Sequence, residues 1–313
     1  MIKAPVFLIP EYRDYIWGGA RLRPEIVPTA EAWIVHGENR VAAGPYAGRS
    51  LNDLAAEYGA ELLGQRTLQN SGLRFPLLVK LLDCAQWLSV QVHPNDAQAV
   101  QMEGPGFSGK TEAWHILEAE PGARLLAGIK AGVSAGALAA SIQDGSVVEQ
   151  TQSHLVRVGE TFFMPAGTIH ALGPGMLIYE IQQASDLTYR VYDWDRPQTG
   201  GRKLHIEQAL AVSRPEAAVS ALPAPTIADG ETRLLVECDY FKLELLAAKE
   251  QAIACHTRGE TFHALTAIQG QAQITAGAEN LLLKRFETLL IPAACGEYRI
   301  AAVGECRLLR AGI

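Results

Sequence analysis

The sequence predicts a mainly β protein made of two β-barrel units with a few short helices. Three observations carry this. Short alternating apolar and polar runs, punctuated by Gly, Pro and Asp, recur along the whole chain. Helical periodicity is confined to three stretches. A Pro- and Ala-rich seam without a clear period, RPEAAVSALPAPTIAD at 214–229, separates a long first part from a shorter second one.

The strand candidates are Leu77–Leu82, Leu88–His93, Ala113–Leu117, Leu177–Gln182, Tyr189–Tyr192, Leu234–Val236 and Phe241–Leu246. Their close spacing suits a sandwich or barrel rather than a parallel α/β sheet. The helical stretches are Ser50–Gln65, opened by a capping Ser with Asp53 three residues on, then Ser134–Ile142 and His205–Val212. Residues 1–214 form the expected catalytic domain, 215–229 the linker and 230–313 the C-terminal domain. Within the latter, AIQGQAQI (267–274) and LLIPAACGEY (289–298) echo the order of elements in the first part.

Composition narrows the function classes. Of 313 residues, 48% are hydrophobic and 19% charged, as in a compact soluble protein. No apolar run reaches the roughly 18 residues of a membrane span, and Met1–Tyr15 lacks the basic start and long apolar core of a signal peptide. The five cysteines are dispersed without CxxC spacing, which argues against a disulfide framework and a cysteine metal site. A net charge of −7 without a basic cluster argues against nucleic acid. The expected setting is the cytoplasm, with neither nucleic acid nor membrane as partner. An anionic substrate stays open if local cations hold it.

The sharpest pattern is Gly159-ETFFM-Pro165-A-Gly167-TI-His170, G-x5-P-x-G-x2-H. It resembles the second sequence motif of the cupin family, in which a tight hairpin turns a strand back and aims the histidine inward. The family's usual Asn four residues on is Pro174 here, and its first H-x-H motif is absent. In that place stands LSVQVHPND (88–96), where alternation puts Ser89, Gln91 and His93 on one strand face. Polar groups on an inward face are costly unless paired or metal-bound. Downstream, Lys110 and Glu112 share a face in GKTEAWHIL, and His115 falls on the other as a packed bystander. Gln91, His93, Glu112 and His170 together form a mixed N/O donor set suited to Zn²⁺. Glu180 and Arg190, separated by a Ser185-Asp186 turn, have the spacing of a strand-turn-strand unit that brings both to the same mouth; a surface ion pair is the alternative.

These blocks, together with YRDYIWGG (12–19), EAW (31–33), FPLLVKLLD (75–83), GTIHALG (167–173) and YEIQQASDLTYRVYDWDR (179–196), are similar to type I mannose-6-phosphate isomerase (phosphomannose isomerase) in its short bacterial form. The resemblance covers residues 5–210 well and the C-terminal part loosely. It implies two cupin-type (jelly-roll) barrels and an aldose–ketose isomerase acting through a zinc-assisted enediol(ate). One Zn²⁺ per chain would be held by His93, Glu112 and His170, with Gln91 as fourth ligand. Arg190, Glu180 and Lys110 would be catalytic, and Lys80, Ser89, Arg196 and Trp17 would contact substrate. The partner would be a small-molecule sugar phosphate, and the protein a monomer or weak homo-oligomer. His36 stands where many members carry Ser. In the C-terminal part Glu297 replaces the motif histidine after Pro292, so that barrel reads as degenerate and without its own metal. An Fe²⁺-dependent dioxygenase and a non-catalytic sugar-phosphate sensor are the other classes compatible with the ligand set.

Overall fold

A computed structural model describes residues 1–199, 201–217 and 219–313. Gly200, and Ala218 within the expected linker, lie outside the described residues. The chain is mainly β, with its described strands in four sheets of six, five, seven and four strands. None of these sheets closes on itself among the described residues.

The chain divides into two compact units that are not sequential. One, here the metal-centre unit, comprises residues 12–32 and 81–224; the other, here the C-terminal unit, comprises 1–11, 33–80 and 225–313. The change near 225 falls inside the expected linker, while 1–11 and 33–80 group with the C-terminal segment rather than with the residues that follow them.

In the metal-centre unit the five-stranded sheet runs in the order Tyr189–Tyr192, Val90–Val92, His170–Leu172, Arg124–Ile129, Thr151–Leu155. The seven-stranded sheet contains, as neighbours, Thr161–Met164, Glu112–Ala119 and Met176–Gln183. An apolar cluster unites the two: Trp114, Ile116, Phe162 and Ile178 come from the second sheet, Leu125, Ala127 and Leu172 from the first. Alternation along Val90–Val92 sends both valines to the opposite side, into a cluster with Leu138, Ile142, Ala209 and Val212 from helices Ala135–Asp144 and Ile206–Val212. The same alternation leaves Gln91 and His93 on the inner side.

Two expectations are corrected. The G-x5-P-x-G-x2-H segment is not a hairpin: Thr161–Met164 belongs to the seven-stranded sheet and His170–Leu172 to the five-stranded one, so the turn carries the chain across the sandwich. Gly167, at φ 89°, makes the left-handed turn that an L side chain resists, and its N–H donates to the His93 carbonyl at 2.8 Å. The stretch from Ser50 is not one helix either. A capping box of Ser50 and Asp53 starts it, and Gly59 at φ 47° breaks it into Leu51–Tyr58 and Ala60–Leu63.

In the C-terminal unit the six-stranded sheet includes Lys242–Ala248, Cys306–Gly312, His263–Gln269 and Thr288–Ile291, and the four-stranded sheet Ile253–His256, Glu297–Ala302, Ala272–Ala276 and Glu279–Leu283. Leu246, Leu265, Leu289 and Leu308 of the first meet Ile253, Ile274, Leu283 and Ile300 of the second in one core.

Candidate metal centre

Five strands, three from one sheet and two from the other, bring the site together. His170 and Arg190 lie directly across from Gln91, one on each neighbouring strand, so the three side chains leave the same sheet face. In the other sheet Glu112 stands opposite Gln182, and Trp114 opposite Glu180. Along that face the rows grade from polar at Glu112 to apolar at Ile116 and Ile178, which sets the site at one end of a core.

Glu112 is the hub. Its Oε2 lies 3.5 Å from His93 Nε2 and its Oε1 3.2 Å from His170 Nε2. One donor atom from each of the three residues lies within 4.8 Å of the others, and all three residues are buried. The imidazoles are held from behind: Nδ1 of His93 is 2.9 Å from the Leu187 carbonyl and Nδ1 of His170 is 3.0 Å from the Thr168 carbonyl. A carbonyl only accepts, so each Nδ1 carries a proton, and in its neutral form each ring has its lone pair on Nε2, toward Glu112. Burial, reinforced by Lys110, lowers the His170 imidazole to about 3 and keeps it neutral, as a ligand must be. The Gln91 amide nitrogen is 3.3 Å from His170 Nε2, so the Gln91 side chain reaches the same point. Two imidazoles, a carboxylate and an amide in one buried cluster match the donor chemistry of a divalent cation such as zinc.

Lys110 enters the cluster from the strand edge. Its ammonium ion-pairs with Glu112 Oε2, sits 3.2 Å from His93 Nε2 and 4.0 Å from Glu180 Oε1. Glu180 is only 4% exposed, and its Oε2 accepts the Trp114 indole N–H at 3.0 Å. The loop that delivers Lys110 is fastened at both sides: Asp96 Oδ1 accepts from Gly109 N at 2.7 Å and from Gln183 Nε2 at 2.9 Å, while Gln183 Oε1 accepts from Thr111 N at 2.9 Å. Gly109 must lack a side chain, because a Cβ there would stand 2.6 Å from the Asn95 carbonyl carbon.

Arg190 is half-buried, and its Nη1 donates to the carbonyls of Gly201 and Lys203. Its Nε is buried with no hydrogen-bond partner among the described residues. Burial, then Arg202, disfavours its charge, a combination that welcomes an incoming anion. Ser89 is buried beside these strands. The remaining sequence candidates have these surroundings. Trp17 is buried in the apolar cluster with Trp114. Arg196 gives its guanidinium to the Trp87 carbonyl at 2.8 Å, Gln86 at 3.2 Å and Asp193 at 3.4 Å. Lys80 is a buried member of the C-terminal unit, with its ammonium 5.3 Å from the Trp33 ring centroid. His36 meets Trp33 edge-on at 5.1 Å. His115 faces away from the cluster and pairs with Thr161 Oγ1 at 2.9 Å.

Sequence reasoning missed four contributors. Trp114 ties Glu180 and lies edge-on to His170 at 5.1 Å; in sequence it is one more core aromatic. Asp96 and Gln183 fasten the Lys110 loop. His205 accepts from the Arg190 N–H at 3.1 Å and thereby fixes that strand.

A mainly β fold with a buried His–Glu–His cluster that could hold a metal ion, beside a lysine and a second carboxylate, has the make-up of an enzyme site. The comparisons with known proteins give the family. Residues 6–106 match the family described as phosphomannose isomerase type I, catalytic domain. The chain is 38% identical over 303 residues to the mannose-6-phosphate isomerase of Streptococcus mutans, covering 92% of each, and 34% identical over 323 residues to mannose-6-phosphate isomerase ManA of Bacillus subtilis, covering 98% of each. The crystal structure of the mannose 6-phosphate isomerase from Bacillus subtilis superposes with a TM-score of 0.86 at 30% identity, covering 99% of this chain and 100% of that one. The chain belongs to the type I phosphomannose isomerase family, and is an isomerase of the intramolecular oxidoreductase kind.

Proposed function

We propose that the chain interconverts mannose 6-phosphate and fructose 6-phosphate through an enediol(ate), with one Zn²⁺ per chain held by His93, Glu112 and His170 and by Gln91 as fourth ligand. The observation that carries this is the convergence of two carbonyl-anchored imidazoles on Glu112 beside Lys110 and Glu180. When bound, the zinc supplies Lewis-acid polarisation of the sugar oxygens and stabilises developing negative charge.

The rest of the chemistry falls to the chain. Aldose–ketose exchange removes the C2 proton, passes through a planar enediol(ate) and returns a proton to C1, while the hydroxyl proton moves from O2 to O1. Glu180, fixed by the Trp114 indole, is the proton carrier between C2 and C1. Lys110, 4.0 Å from it, stabilises the negative oxygen and transfers the hydroxyl proton. Arg190 offers its unused Nε and remaining N–H groups to the substrate anion. Ser89, Lys80, Trp17 and Arg196 are assigned the substrate contacts that the family resemblance implies, Trp17 from the apolar cluster and Arg196 beside its bond to the Trp87 carbonyl.

Each pair of sheets sharing a core corresponds, in this reading, to a cupin-type jelly roll, the second one degenerate. Residues 1–214 would constitute the catalytic domain, 230–313 the C-terminal one and 215–229 the linker. No described helix is long and apolar enough to cross a membrane. A cytoplasmic monomer or weak homo-oligomer, acting on a small sugar phosphate and on neither nucleic acid nor membrane, fits this function.

The test is a coupled assay converting mannose 6-phosphate to fructose 6-phosphate, before and after chelation. The expected result is turnover that disappears with the metal and returns with added zinc. Absence of turnover in zinc-loaded protein would overturn the proposal.

A further inference from the structure

Charged side chains on an inward sheet face are costly where packing alone is required. The C-terminal unit has several. Alternation along Lys242–Ala248 puts Lys242 and Glu244 on the face that also carries the core residues Leu246 and Ala248. On the next strand Arg310 stands directly opposite Glu244 and shares its face with Leu308 and Cys306. His263 likewise shares a face with Leu265 and Ala267. From the four-stranded sheet come Tyr298 and its cross-strand partner Cys255. One end of this core is therefore charged, and it opens into a cleft of about 1210 Å³.

The wiring leaves the floor with a surplus of donors. Glu244 Oε2 accepts from Arg310 Nε at 2.8 Å, and its Oε1 lies 3.3 Å from Lys242 Nζ, so one carboxylate serves two cations. Arg310 also donates to Cys255 Sγ at 3.4 Å. His263 Nδ1 pairs with the Tyr298 hydroxyl at 2.7 Å, and its Nε2 has no partner among the described residues. Burial keeps that imidazole neutral; in the tautomer in which the Tyr298 hydroxyl donates to Nδ1, Nε2–H is left as a donor. At the rim Arg66, Arg258 and Arg299 are matched by Glu237, Glu260 and Glu297. The rim side chains add no net charge, and the floor side chains carry one positive charge in excess.

We propose that this cleft is a second small-molecule site, which takes an anionic polyol: a compound with one phosphate or carboxylate group and several hydroxyls. The free N–H groups of Lys242 and the Nε2–H of His263 meet the anion, while the rim glutamates accept from hydroxyls. A divalent cation is disfavoured by the two cations on the floor, and an apolar ligand by the polar lining. A bare phosphate would leave most of the cleft volume and the rim acceptors unused.

The experiment is calorimetric titration of the metal-loaded full chain with sorbitol 6-phosphate, with gluconate and with sorbitol, repeated on Lys242→Gln, on Lys242→Gln/His263→Gln and on Arg190→Gln. The expected result is one bound equivalent that Lys242→Gln weakens about tenfold or more, as loss of a charge-assisted contact does, and that Arg190→Gln leaves intact. Circular dichroism and melting confirm that each variant is folded, and Lys242, with its side chain 36% exposed, tolerates the exchange best. Binding of sorbitol 6-phosphate but not gluconate assigns the anion as phosphate; the reverse assigns it as carboxylate. The proposal is overturned if no equivalent responds to Lys242→Gln or to the double variant, or if neutral sorbitol binds as tightly as the anions.

Discussion

The cluster around Glu112 and the cluster around Glu244 share a plan and differ in chemistry. Each places one carboxylate at the polar end of a sheet face whose other end is apolar core. Around Glu112 stand two imidazoles whose proton-bearing nitrogens are tied to backbone carbonyls, so their lone pairs converge. Around Glu244 stand a lysine and an arginine, and the one inward imidazole is tied to a tyrosine hydroxyl. Lone pairs can be given to a cation, whereas ammonium and guanidinium groups can only donate hydrogen bonds. The difference teaches that a carboxylate on an inward face does not by itself announce a metal; its immediate partners decide which sign of ligand it serves.

The strongest way to break this contrast is to remove a lone pair from the first cluster. His170→Ala or Glu112→Gln is expected to lower bound zinc well below one equivalent and kcat/KM by about 10³-fold or more, as loss of a metal's transition-state stabilisation implies. Metal analysis beside the coupled assay checks both. Full zinc occupancy in either variant would show that the lone pairs do not serve a cation. Next in size, Glu180→Gln is expected to cost about 10²–10⁴-fold in kcat, the range of a positioned acid–base group, with zinc retained. An unchanged kcat would move the proton carrier elsewhere.

Arg190→Lys sharpens the comparison from the substrate side. Lysine keeps the charge and loses the planar fork, so kcat/KM should fall by about a hundredfold, mostly through KM, while zinc content stays constant. The anchoring of Arg190 through Gly201 and Lys203 makes the geometry specific to arginine. Equal kinetics for the lysine variant would reduce its role to bulk charge.

Much of the first cluster was legible because its chemistry follows strand alternation. Gln91 and His93 share a face with period two, Lys110 and Glu112 likewise, and Gly159–His170 follows a turn pattern with its own sterics. What alternation cannot carry is the other half of the arrangement. The acceptors of His93 and His170 are the backbone carbonyls of Leu187 and Thr168, which any residue would provide. A Gly-Pro turn serves a hairpin and a sheet-to-sheet crossing equally well, so the pattern alone does not distinguish the two paths from Met164 to His170. Residues 33–80 group with a segment more than a hundred positions away, a pairing set by long-range packing rather than by any local period. The second cluster shows the opposite lesson: Lys242 and Glu244 alternate with Leu243 and Leu245 in plain view, and only the register with Arg310 turns that pattern into a site.

The smallest effect concerns the imidazole of the second cluster. Burial first, then Arg310, lowers His263 to about 3; Lys242 and His256 act in the same direction and Glu244 opposes them. Its folded value lies below the ordinary value near 6.5, so the unfolded chain binds the proton more readily. Stability is therefore complete above about pH 7 and falls as the pH drops through 6.5 toward 3. Between pH 7 and pH 5 this one group should cost about 2 kcal/mol. Denaturant unfolding at both pH values, in a buffer without phosphate or carboxylate, should show His263→Gln losing about that much less than wild type over the interval. The Tyr298 hydroxyl can still bond the new amide, so the subtraction isolates the proton rather than the contact. Parallel pH slopes in the two proteins would mean that His263 accepts a proton in the folded state as easily as in the unfolded one. The floor of the cleft could then carry a second movable charge, and its contrast with the His170 imidazole beside Glu112, which burial keeps neutral, would disappear.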